Sequence, residues 1–157
     1  MTMMIDTSPI FEFERDFSGD LRCIPMIVRF KLDLCGIKLS LRQWSRFDGP
    51  ERRQLVDRPC GGACQTAAYR AYLEGLIEVR AREAPVSLAV EAHPAWDDRT
   101  VVPDGIQAQT KIRGLPPLHV GAWSAHEPLQ RFALLKLSRE GHDNDNFEPA
   151  LREFGLA

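Results

Sequence analysis

The chain lacks any apolar run approaching the roughly 20 residues that a bilayer-spanning helix needs, so no membrane span is expected. Residues 1–6 carry neither a basic stretch nor an apolar one, so no export signal is expected and a cytoplasmic location follows. Cysteine is scarce, with 4 in 157 residues, and in that compartment the thiols stay reduced, which excludes a disulfide-stapled scaffold. No charge of either sign dominates. Twenty Lys and Arg against 22 Asp and Glu leave a net charge of −2, so no anionic membrane is expected as a partner and nucleic acid is not favoured. Catalytic signatures are missing as well. The four histidines show no paired metal-ligand spacing, and Gly61-Gly62 is not followed by the Gly-Lys-Ser/Thr ending of a phosphate-binding loop. No metal, cofactor or enzymatic activity is therefore expected.

What remains is the composition of one ordinary globular domain spanning residues 1–157, with 44% hydrophobic and 27% charged residues. Its clearest signal is an internal repeat. At an offset of 79, Leu39, Trp44, Ser45, Arg52 and Leu55 recur as Leu118, Trp123, Ser124, Arg131 and Leu134. Asp48 and Glu51 meet Glu127 and Gln130, and upstream Pro25 and Val28 meet Pro103 and Ile106. The expectation is an all-α fold of two related helical halves, about 20–57 and 99–137, around one core and about a pseudo-two-fold axis.

Local signals are mostly helical. Pro25 suits a first turn and Gly36 a C-terminal stop, which predicts a helix over 25–35. Ser40 with Gln43, and Asp48 with Glu51 beside Pro50, form capping boxes opening two more helices, the second reaching Asp57. A long helical pattern over 64–83 places Ala68, Tyr72, Leu76 and Val79 on one stripe, with Tyr69, Leu73 and Ile77 beside it. A connection with one helical turn at 86–92 follows, and Asp145 with Glu148 caps a last helix reaching Phe154. Residues 28–41 also alternate as a β-hairpin would. The second copy shows no such alternation, so the helix is preferred.

Three groups of residues are candidates for function. Cys60 and Cys64 flank Gly61-Gly62 at a helix start, where a thiolate would be stabilised; the alternative is a turn with small buried side chains. Arg52 and Arg131 would converge on one anion or cofactor phosphate if the halves face each other, or each would bond a helix C-terminus in its own half. Residues 22–58 hold nine Lys or Arg against four acids, a net +5 that includes Lys31, Arg46 and Arg53. That segment would suit an acidic partner or, as an alternative, a helical DNA-binding regulator, unless it is simply a solvated face.

One stretch is distinctive beyond its physics. Leu21-Arg22-Cys23-Ile24-Pro25-Met26-Ile27-Val28-Arg29-Phe30-Lys31-Leu32-Asp33, with Phe11 and Phe13 before it and Cys35-Gly36-Ile37-Lys38-Leu39 and Trp44 after it, resembles the nitrate reductase-associated protein family. Residues 131–137 and Glu153-Phe154 are similar too. The resemblance implies a bacterial protein associated with nitrate assimilation, whose partner would be a molybdenum-dependent nitrate reductase or a molybdopterin-synthesis protein. It supplies no catalytic residues, because no activity is established for the family.

Overall fold

The computed structural model describes residues 9–139 and 141–157; the reading of residues 1–6 lies outside them. The fold is mostly helical, at 62% helix. The chain divides into two compact units, Met1–Val90 and Glu91–Ala157.

In the first unit a 3-10 turn, Glu12–Glu14, leads into α1 (Arg15–Ser18), followed by α2 (Met26–Cys35), β1 (Ile37–Lys38), α3 (Leu41–Arg46), α4 (Gly49–Asp57), α5 (Gly62–Leu76) and β2 (Val86–Ser87). Helix α2 starts where Pro25 is extended. Its free Met26 N–H is met by the Glu14 carboxylate at 3.1 Å, an acid only 1% exposed. It stops at Gly36, whose φ of 75° only glycine adopts without strain. The cap is crowded besides: a Cβ at Gly36 would lie 2.8 Å from the Leu88 carbonyl oxygen. Gly36→Ala is therefore expected to lower stability by about 2 kcal/mol, read as a shifted urea midpoint.

Both capping boxes form. The Gln43 N–H donates to Ser40 Oγ at 3.1 Å, and the Glu51 N–H to Asp48 Oδ1 at 2.8 Å. Helix α2 is a helix and not half of a hairpin, but two strands are present where an all-α fold was expected. Ile37 pairs antiparallel with Ser87, and Lys38 with Val86. The helical turn expected at 86–92 is thus a strand, held from afar by Arg70. That side chain donates to the Cys35 and Gly36 carbonyls at 2.7 and 3.1 Å and to Ser87 Oγ at 2.7 Å. The long helix also differs from expectation. It becomes a π-helical turn at Ile77–Ala81 and ends on Arg82 in the left-handed region. Its buried stripe is Tyr69, Leu73, Leu76 and Ile77, while Val79 is 70% exposed. Together with Val28, Leu32, Trp44, Phe47 and Leu55 that stripe makes the core of the unit.

The second unit begins with a 3-10 turn, Ala95–Asp97, and continues through α6 (Asp104–Ile112), α7 (Val120–Ala125), α8 (Pro128–Leu137), a 3-10 turn at His142–Asn146 and α9 (Phe147–Glu153). Ile106, Trp123, Phe132, Leu134, Phe147 and Leu151 are fully buried there. Helix α9 opens on Asn146 without a side-chain cap, so the box expected from Asp145 and Glu148 does not form; the preceding 3-10 turn takes up Asp145 instead.

Helices correspond between the units. α3 and α7 are both six residues long and start 79 positions apart, α4 and α8 start 79 apart, and α2 and α6 start 78 apart. Glu127 and Gln130 form at the head of α8 the box that Asp48 and Glu51 form at the head of α4.

Candidate functional site

Each unit contains the same small assembly around its buried tryptophan. Trp44 on α3 donates its indole N–H to the Leu21 carbonyl at 2.7 Å, and Trp123 on α7 donates to the Asp98 carbonyl at 2.8 Å. An arginine from the following helix lies over each indole, Arg52 at 5.9 Å and Arg131 at 6.0 Å from the ring centroid. Arg52 donates to the Trp44 and Ser45 carbonyls at 3.2 and 3.1 Å, in the last turn of α3. Arg131 donates to the Trp96 carbonyl at 2.7 Å and to the His126 carbonyl just past α7. Carbonyls at a helix end lack an intrahelical partner, and a guanidinium fork satisfies several at once. Arg131 is 0% exposed, and burial pulls its pKa down from the usual arginine value.

Lys31 behaves alike, although the sequence placed it on a charged face. It is buried, and its ammonium donates to the Val56 and Arg58 carbonyls at 2.7 and 2.6 Å, where α4 ends. Tyr69 adds a third bond there, from its hydroxyl to the Leu55 carbonyl at 2.8 Å. Val28, Lys31, Leu32 and Cys35 share one buried helical face, so the signal for Lys31 was its spacing rather than its charge. Desolvation lowers the Lys31 pKa.

The two candidate cysteines differ in setting. Cys60 is buried 6% exposed, with its Sγ 3.9 Å from Thr66 Oγ1, and Cys64 is exposed at the start of α5. Burial pushes the Cys60 thiol up, away from the thiolate, and holds Cys35 at about 11. Thiols kept protonated by folding contribute stability that is complete below about pH 9, where unfolded thiols begin to ionise. It is lost as pH rises toward about 11. Unfolding at fixed urea is therefore expected to become easier from pH 9 upward, with a shallower slope in Cys35→Ala.

In three dimensions the basic segment 22–58 is not a continuous cationic face. Lys31, Arg52 and Arg58 are engaged inside the unit, Arg58 stacking 3.9 Å over the Tyr72 ring. Arg22, Arg42 and Arg53 pair with Asp20, Glu83 and Asp57. Lys38 and Arg46 remain exposed without a carboxylate partner among the described residues, with Leu41, 55% exposed, between them in sequence. Among the described residues no group of three or more His, Cys, Asp or Glu side chains is placed to hold a metal, and no helix is long and apolar enough to cross a membrane.

These features define a mostly helical protein whose buried cations hold its own backbone carbonyls, with a tryptophan–arginine assembly in each unit. The chain belongs to the family of conserved nitrate reductase-associated proteins, whose sequence profile matches residues 10–154. No curated protein and no solved structure matches it.

Proposed function

We propose that the protein is a non-enzymatic, cytoplasmic accessory of nitrate assimilation, contacting a molybdenum-dependent nitrate reductase or a protein that delivers its cofactor. The observation that carries this reading is the family match over nearly the whole chain. The placement of charge supports it, since Lys31, Arg52 and Arg131 are engaged with backbone carbonyls of their own unit. What is left outward is a contact surface, with Lys38 and Arg46 flanking Leu41, suited to an acidic patch that also offers apolar area. The helical correspondence between the units supports a second part of the proposal, that both descend from one duplicated motif.

The test is recovery of partners by the tagged full-length chain from its own host, grown on nitrate or on ammonium. Nitrate reductase or a cofactor-synthesis protein is expected on nitrate, with at least about tenfold less recovered by the Lys38→Glu, Arg46→Glu double variant. Recovery of neither under either nitrogen source overturns the proposal.

A further inference from the structure

His126 stands where the two units differ. At the equivalent place after α3 sits Phe47, a buried hydrocarbon, whereas after α7 sits an imidazole with both nitrogens in use. Its Nδ1 lies 2.6 Å from the Ala122 carbonyl oxygen and its Nε2 lies 2.9 Å from the Phe154 carbonyl oxygen. A carbonyl oxygen only accepts, so both contacts are hydrogen bonds only when both ring nitrogens carry protons. A neutral ring makes one of them and turns a lone pair toward the other oxygen.

We propose that His126 is a protonation-dependent latch: as imidazolium it ties the end of α9, at Phe154, to the last turn of α7.

Ala122 and Phe154 present carbonyls at helix C-termini, where a cation is favoured. The charged groups around the ring are Arg131, which donates to the His126 carbonyl, Glu127 next in the chain, and Arg152 and Glu153 at the end of α9. Arg131 opposes the second charge, and the two carboxylates favour it. His119, at the other end of α7, has the opposite requirement. Its Nδ1 accepts the Gly121 N–H at 3.0 Å, which needs a lone pair and so a neutral ring. Near neutral pH the two ends of one short helix thus call for different protonation states of the same residue type.

The latch is complete below the ordinary histidine range, at about pH 6.5, and is lost as pH rises past it. In the histidine-labelled full chain, His126 is expected to keep both ring protons at a pH where the exposed His93 has lost one. Amide exchange in α9 should speed up as that proton leaves. The unfolding equilibrium of the wild type relative to His126→Gln is expected to narrow by about tenfold between pH 5.5 and 8.5. A His126 ring that loses its proton together with or before His93, or a pH-independent gap to His126→Gln, overturns the latch. The ring measurement stands even if the variant fails to fold.

Discussion

Arg131→Met is expected to lose about 4 kcal/mol of stability, measured as a shift of the urea transition followed by near-ultraviolet circular dichroism. Methionine replaces most of the volume, so the loss reports hydrogen bonds more than a cavity. The guanidinium is wholly buried and serves the Trp96 and His126 carbonyls while covering the Trp123 indole. Removing it strands buried acceptors at about 1–3 kcal/mol each, and no water has room to replace a fully buried fork. Arg131→Lys keeps the charge but offers one point donor where a planar fork serves two separate oxygens, so about half of the loss should persist. Ordinary domains hold only about 5–15 kcal/mol in total, which makes this the most damaging single change expected in the second unit.

Trp44→Ala is expected to cost about 4 kcal/mol in the first unit, again by urea titration. The indole is 0% exposed, packs edge-on against Phe47 at 6.3 Å, and is roofed by Arg52. Trp44→Phe separates the two contributions. It keeps most of the hydrocarbon and removes only the donor to the Leu21 carbonyl, for about 1–2 kcal/mol. Arg52 also reaches that carbonyl, at 3.4 Å, and softens the loss. A phenylalanine as costly as an alanine would mean that the hydrogen bond, and not the packing, holds the assembly.

The readings that held were local. Pro25, Gly36, Ser40 with Gln43, and Asp48 with Glu51 act within one turn of chain, so their chemistry is complete in a short window of sequence. The strand pair was not legible because two residues per strand carry no periodicity. It exists through Arg70, which joins the end of α2 to Ser87 across 17 residues of chain. Lys31 was misplaced for a different reason. Charge was weighed before spacing, yet its position among Val28, Leu32 and Cys35 put it on the buried face. Asp145 and Glu148 had the right spacing for a box, but a preceding 3-10 turn delivers Asn146, not Asp145, to the start of the helix. The tryptophan–arginine pairs were visible as a recurrence eight residues apart; that each guanidinium reaches carbonyls of its own unit depends on folding.

The π-helical turn at Ile77–Ala81 holds one residue more than an α-helix would use over the same rise. A single-residue deletion inside it would not simply shorten a loop. It would wind the segment into α-helix and turn everything after it by about 100°. Glu83, which receives Arg42 and the Gln43 amide at 3.0 Å, would then swing away from α3. Length at this point of the chain is as much a determinant of the structure as residue identity, and a deletion scan across α5 should find its sharpest intolerance there.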